Sequence, residues 1–247
     1  MRFENTKVFN FDGAFRGMRN PLNSWHKSDS DFQDGKCYCP EKSCQECEHY
    51  NDATSNCTPL IGEKDMTLAK RLIKGGSEHR KFLRQIMVSV DITAPLYWWK
   101  EFDTYKVGVT ANSTSTMHKV ASNPITIDCF EIDDYNPDLK LETDHIISSK
   151  VNEFIDVLEQ LRVKYVRSND KKYWKELIRW IPESWLQTRT VTLNYENVLT
   201  ICRQRKTHKL NEWSGTDNKN HTNFIAWAKS LPYAEDLIFT NEEEDHE

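Results

Sequence analysis

The chain has 247 residues, 38% of them apolar, with eight Trp, nine Tyr and eleven Phe, which is enough bulky material for a real core and excludes disorder of the whole. The formal charge is −5, but five acids crowd into the final "NEEEDHE", so the body before it is neutral, with 33 acids facing 33 Lys plus Arg. A neutral body excludes non-specific duplex binding, which needs a broad basic face; no apolar run reaches membrane-span length, and "MRFENTKVFNFDG" lacks a secretory core, so a cytoplasmic location is expected.

In chain order, "TKVFNF" predicts a first strand, and residues 13–36 read as irregular and turn-rich. The segment 37–57 holds five of the seven cysteines. "TLAKRLIKGG" predicts a short helix closed by Gly75 and Gly76, with Asp65 as candidate cap. "FLRQIMVSVDI" predicts a strand. Pro95 then opens a helix over "PLYWWKEFDTYK". "NPITIDCFEI" predicts another strand. The long stretch "SSKVNEFIDVLEQLRVKYVRS" predicts a helix, since Val151, Phe154, Ile155, Leu158, Leu161 and Tyr165 share a stripe, with Ser148 or Ser149 at its cap. "KKYWKELIRWI", "NYENVLTICRQRKTHK" and "NFIAWAKSLPYAEDLI" predict three further helices, the last broken at Pro232. The expected fold class is α/β of the α+β kind: one domain over 1–240, a central, mostly antiparallel sheet flanked by helices, and an acidic disordered tail, 241–247.

The cysteine segment spaces its thiols as C-x-C-x4-C-x2-C-x9-C. Cys44 and Cys47 form the close pair that suits zinc, because two thiolates on one tight turn reach one tetrahedral ion. Cys37 and Cys39 supply the remaining ligands, with His49 and Cys57 as spares. So few apolar residues surround them that a structural metal would provide the order packing cannot. Free thiols and disulfides are the alternatives, and a zinc-dependent docking module is one reading of the whole chain. Cys129 and Cys202, each alone in apolar surroundings, read as buried thiols.

From Thr110 to Thr116, five hydroxyl side chains surround Asn112, a run too polar to bury and poor for a helix. Such groups could hydrogen-bond a base or a phosphate, or form a polar turn. "RQRKTHK", 203–209, brings Arg203, Arg205, Lys206, His208 and Lys209 to a helix end, where they complement the dipole or form an anion pocket. Arg16 and Arg19 lie in a loop that could touch an anion or simply be ordered surface. The aromatics of "PLYWWKEFDTYK" suit a core or subunit interface, or stacking on a planar ligand.

In order, "SEHRKF" with His79, the aromatic helix, the loop with Asn112 and Ser115, and "NYENVLTICRQR" resemble the flavin-dependent thymidylate synthase family. That family carries a Glu-His pair, then a loop R-H-R-x4-N-x2-S-x-R-Y, and late a helix N-x-R-x3-N-x4-R. The resemblance covers roughly residues 70–120 and 190–230. It implies an α/β domain assembled as a homotetramer, with FAD and dUMP bound at sites shared between subunits. It implies that His79, Asn112, Lys106 and Asn194 face FAD. Arg205 and Ser115 would serve catalysis, with Arg205 gripping and polarising the pyrimidine. Arg203, His208 and His118 would join these two in holding the nucleotide. The chain departs from the pattern at several cations. Tyr105-Lys106-Val107 stands for Arg-His-Arg, Met117-His118 for Arg-Tyr, Glu196 for the late arginine and Thr200 for the second asparagine. "RNPLNSW", "DTYKVG" and "RKTHKLNEW" resemble a divergent branch associated with bacteriophage and Firmicutes genomes. Two functions are therefore expected as rivals: a flavin-dependent one-carbon transferase acting on a pyrimidine nucleotide, and a nucleotide-binding protein without catalysis.

Overall fold

The computed structural model describes residues 1–32, 59–141, 146–215 and 222–240. The cysteine segment and the acidic tail, and with them the ligand set of Cys37, Cys39, Cys44, Cys47 and Cys57, lie outside the described residues.

Strand β1 (Arg2–Phe9) leads into helix α1 (Phe11–Arg19). Helix α2 (Glu63–Lys74) and a 3-10 turn, Arg80–Gln85, precede strand β2 (Met87–Pro95) and helix α3 (Leu96–Phe102). The hydroxyl run becomes strand β3 (Thr110–Ser113) and helix α4 (Thr116–Lys119). A helical pair follows, α5 (Ile147–Ser168) and α6 (Lys171–Trp180), then strand β4 (Leu186–Asn194) and helix α7 (Tyr195–Arg205). Short helices α8 (Asn211–Ser214), α9 (Phe224–Lys229) and α10 (Ala234–Leu237) finish the fold. The sheet order is β1-β2-β4-β3, every pairing antiparallel, with helices packed on it as the sequence led one to expect.

The sheet has two chemically different faces because strand side chains alternate. Val88, Val90, Ile92 and Ala94 of β2 and Val191 and Leu193 of β4 are fully buried. Each Val, Leu or Ile so removed from water contributes about 1.5–3 kcal/mol. On the other face Ser89 pairs with Thr192, Asp91 with Thr190 and Thr93 with Thr188, whose hydroxyls meet at 2.7 Å. Thr190 donates to Asp91 at 2.6 Å, and Asn5 donates to its other oxygen at 2.8 Å.

The aromatic helix is core. Trp98, Trp99 and Phe102 are at most 1% exposed; Trp98 lies 5.1 Å from Phe102 and 4.6 Å from Trp213, ring to ring. A second, smaller core joins Ile155 and Leu158 of α5 and Leu177 of α6 to Val120, Ile125 and Phe130.

Several local expectations are corrected. Residues 13–36 open with a helix, α1, because Phe11, Ala14, Phe15 and Met18 recur at helical spacing and all are buried. The β2 strand starts at Met87, five residues after the predicted start, behind the 3-10 turn. "NPITIDCFEI" is no strand: residues 127–129 form a 3-10 turn and Phe130 makes a single bridge to Trp185. The cap of α2 is Gly62, with Asp65 inside the first turn; Ile146, not a serine, caps α5. Cys202 is buried, but Cys129 is only half-buried, with its thiol 3.8 Å from the Pro124 carbonyl. Strand β4, one of the two interior strands of the sheet, is an element that the sequence reading does not contain. Among the described residues no helix is long and apolar enough to cross a membrane.

Candidate functional site

Helix α7 begins where β4 ends. Asn194 caps it, accepting the Asn197 N–H at 3.0 Å, while Asn197 accepts the Asn194 N–H at 3.2 Å. Asn194 is 7% exposed, so its side chain is committed to this box. Asn197 also donates to the Val107 carbonyl at 2.8 Å, and Gly108, at φ +76°, turns the chain beneath it. An α-helix rises about 1.5 Å per residue, which carries Arg205 about 16 Å from that cap.

At the far end Arg205 is half-buried and held by three elements. Its Nε donates to the Tyr105 hydroxyl at 2.9 Å, and its Nη1 to Glu101 at 2.9 Å. The guanidinium lies 4.8 Å from the Trp213 ring, whose Nε1 donates to the same Glu101 oxygen at 2.8 Å. Nη2 makes no hydrogen bond among the described residues. His208 joins the group: its Nδ1 accepts the Leu210 N–H at 3.2 Å, which leaves the proton on Nε2, 3.4 Å from Glu101.

Beside this cluster opens a cleft of about 510 Å³, lined by Tyr97, Glu101, His208, Lys209 and Leu210, a volume within the ordinary range for small-molecule sites. Tyr97 donates to Glu212, which is 5% exposed, and approaches Glu131 at 3.4 Å. Burial, then the Glu212 charge, pushes the Tyr97 hydroxyl far above its ordinary value, so it stays a donor. Burial, together with the Glu212, Asp133 and Asp134 charges, outweighs the hydrogen bond from the Asp133 N–H and raises the Glu131 carboxyl.

The hydroxyl run lies elsewhere. Asn112 is exposed on the edge strand β3, opposite Thr190. Ser115 caps α4, accepting the His118 N–H at 3.3 Å, and His118 itself is exposed. Behind this turn, Gln187 donates to the Thr114 carbonyl at 2.9 Å and to the Thr116 hydroxyl at 3.2 Å. Arg189 donates to Gln187 at 2.9 Å and to Asp103 at 2.7 Å, and lies 4.2 Å from the Trp99 ring.

The two groups meet α3 on different sides. Arg205 and Tyr97 engage Glu101 and its neighbourhood, whereas Arg189 engages Trp99. Glu101 and Trp99 are two residues apart, so about 200° apart around the helix. Arg205 and His208 thus meet the Glu101 side of α3, whereas the turn that holds Ser115 meets Gln187 and, through Arg189, the Trp99 side. Lys106 is exposed just after α3, and Arg203 is exposed on the last turn of α7. His79 is exposed and lies against Gly75, where an added Cβ would fall 3.1 Å from its ring. The next residue, Arg80, donates to both oxygens of Glu196, at 3.1 and 3.0 Å, in a pair with side chains 14% and 12% exposed. So the acid standing where the late helix of the resembled family carries arginine has a basic partner.

Sequence reading missed Glu101, Tyr97, Glu212, Gln187 and Arg189. The four-residue spacing of Tyr97, Glu101 and Tyr105 was a legible signal for one helix face. The alternation in "LQTRTVTLN" would have revealed the strand that carries Gln187 and Arg189.

Neither a protein-family model nor a curated protein matches the sequence. Solved structures do match. One is flavin-dependent thymidylate synthase ThyX from Helicobacter pylori complexed with FAD and dUMP, with TM-score 0.56 and 15% identity, covering 96% of this chain and 98% of that one. The chain has the ThyX fold. A second structure of ThyX from Helicobacter pylori with FAD and dUMP matches with TM-score 0.58 and 17% identity, over 96% and 97% of the two chains. At these identities the ThyX likeness is one of fold. Two glutamates, Glu196 and Glu101, each tie up a nearby arginine on that fold here.

Proposed function

We propose that the chain is a flavin-dependent thymidylate synthase-like protein that binds a dUMP-type pyrimidine nucleotide and transfers a one-carbon unit to it with FAD. The observation that carries this reading is Arg205. It is anchored through Nε and Nη1 on a ThyX fold, beside a cleft lined by its partner Glu101 and by His208, and its Nη2 makes no hydrogen bond among the described residues. Held rigid, that guanidinium would draw electron density toward a ring oxygen with little reorganisation. Arg203 would add positive charge for the phosphate, and the His208 Nε2–H a hydrogen-bond donor.

The separation of the half-sites by α3 supports completion by a second copy: Arg205 from one chain, Asn112, Ser115 and His118 from another, in a homotetramer. FAD, when bound, supplies hydride and carries the one-carbon unit. His79 and Lys106 are accessible and fit a flavin phosphate or ring edge. Asn194 would act there only through the helix end that it caps. A structural zinc at the cysteine segment, a cytoplasmic location and the bacteriophage and Firmicutes branch belong to the same proposal.

The test is direct. Purified protein should absorb as a flavoprotein or take up added FAD, and R205A should lose dUMP binding. R205A and the N112A/S115A variant should each fail alone, while a mixture refolded together should recover part of the binding. Failure of that mixture would refute the shared site.

A second reading, nucleotide binding without catalysis, is favoured by one observation: the Arg80 guanidinium is spent on Glu196, and Tyr105-Lys106-Val107 offers one cation in place of three. A thermal shift with dUMP and none with FAD selects it.

A further inference from the structure

A second cleft, sharing no lining residue with the first, opens between the end of α1 with the segment after it and the face of α2 that runs from Glu63 to Arg71. Its volume is about 650 Å³, and Arg19, Lys27, Lys64 and Arg71 all line it. Glu63 is its one lining acid among the described residues. Lys27, Lys64 and Arg71 are exposed and have no carboxylate within ion-pair reach among the described residues.

Arg19 is the built part. It is 5% exposed, and its Nε donates to Asp65 at 2.5 Å. Nη1 reaches Ser24 only at 3.4 and 3.5 Å, at the limit of a hydrogen bond. Nη2 has no hydrogen bond among the described residues. Asp65 is fully buried and fixes the guanidinium from behind, itself held by the hydroxyls of Ser28 at 2.6 Å and Ser30 at 2.5 Å. The helix end is not the attraction, because the Asp29 carboxylate already accepts the N–H groups of Lys64 at 3.0 Å and Asp65 at 3.1 Å. What remains is a locked guanidinium edge whose charge Asp65 balances, with three exposed cations around one opening.

We propose that this cleft binds the di- or triphosphate group of a phosphorylated ligand. Lys27, Lys64 and Arg71 against Glu63 leave the opening net positive by two, which suits such a group, and like charges facing one another are relieved when an anion sits between them. The Thr67 hydroxyl adds a donor, and Leu68 gives the cleft an apolar wall. The site is independent of the pyrimidine site at Arg205 and would serve as a second, phosphate-reading position on the same chain.

Titration calorimetry on the full chain, at low salt, tests this with two probes: inorganic tripolyphosphate and ATP. Saturable binding of tripolyphosphate is expected. Because Lys64 and Arg71 are exposed, K64Q/R71Q folds, and it should weaken that binding by at least about tenfold, the loss of one charge-assisted contact or more. R205A should leave it unchanged, which separates this site from the pyrimidine site. No saturable binding of tripolyphosphate, equal binding by K64Q/R71Q, or binding of ATP alone would each overturn the proposal. Binding of both probes supports it and assigns the recognition to the phosphates.

Discussion

The substitution D65N separates two accounts of one residue. As a helix cap, Asp65 would contribute about 1 kcal/mol. In the structure it is instead the fully buried partner of Arg19, with two serine hydroxyls and the Ser30 N–H completing its shell. Removing the charge strands a guanidinium that is 5% exposed, and breaking a buried pair in this way costs about 3–5 kcal/mol. For a chain of this size about 1 kcal/mol moves Tm by about 2–4 °C, so D65N should lower Tm by about 6–20 °C, against about 2–4 °C for a lost cap. Scanning calorimetry and urea unfolding read both quantities. The pH dependence has a defined sign. Burial works to raise the Asp65 carboxyl, but the hydrogen bonds from Ser28, Ser30 and Arg19 outweigh it, so the folded value lies below the ordinary 3.8. A carboxyl depressed on folding contributes its full stability above 3.8 and loses it as pH falls through the folded value. The gap between wild type and D65N should therefore be full at pH 7 and narrow only below about pH 4. Replacing both partners, R19M/D65L, should cost less than D65N alone, because no charge is left unpaired. A D65N loss of 4 °C or less at pH 7 would refute the buried-pair account.

Three further outcomes are expected. E101Q removes the carboxylate that anchors Arg205 through Nη1 and that Trp213 and His208 share, and should weaken dUMP binding several-fold in titration calorimetry; tighter binding would mean that Glu101 competes with the ligand for Arg205. A double-mutant cycle of R80Q and E196Q, followed by urea unfolding, should give a coupling of about 1–2 kcal/mol, since both side chains are largely shielded; a coupling near zero would show that the pair does not tie the 3-10 turn to α7. G108A should destabilise by about 1–2 kcal/mol, because φ is +76° and the added Cβ would lie 3.0 Å from Asn194 and 3.2 Å from Asn197; an unchanged urea midpoint would rule that out.

The elements that sequence revealed are those whose burial is one-sided and uninterrupted. In α5 the buried Ile155 and Leu158 fall on the expected stripe. In α1 the same spacing exists, but Gly13 and Gly17 lower the helical propensity of the segment and hid it. Strand β4 was hidden because its outward face is threonine and its inward face begins with Gln187, so it reads as polar chain. "NPITIDCFEI" misled in the opposite direction. Ile125 and Phe130 are buried as a strand's would be, yet they fill the small core with α5 and α6 and find no partner strand. For the site, the family resemblance singles out Arg205, but not Glu101, which lies 104 residues before it in a run of aromatics.

The most consequential of these hidden facts is the position of α3. Read in a line, the aromatic helix, the hydroxyl run and Arg205 suggest one pocket with a floor and a lid. Folded, α3 is anchored on both sides. Arg189 stacks on Trp99, and the Trp99 indole donates to the Gln187 carbonyl at 2.9 Å, while Arg205 and Trp213 grip Glu101. Moving α3 aside to merge the half-sites would expose Trp98, Trp99 and Phe102, three of the largest buried side chains, at about 1.5–3 kcal/mol or more for each. Together that is about 4.5–9 kcal/mol, of the size of the about 5.5 kcal/mol that already requires 10⁴-fold preference for the opened form. The proposed function therefore has Arg205 and Ser115 reach one ligand from different copies. The recovery of binding on mixing R205A with N112A/S115A thus follows from the rigidity of a single helix, and it would fail if either half-site bound the whole nucleotide alone.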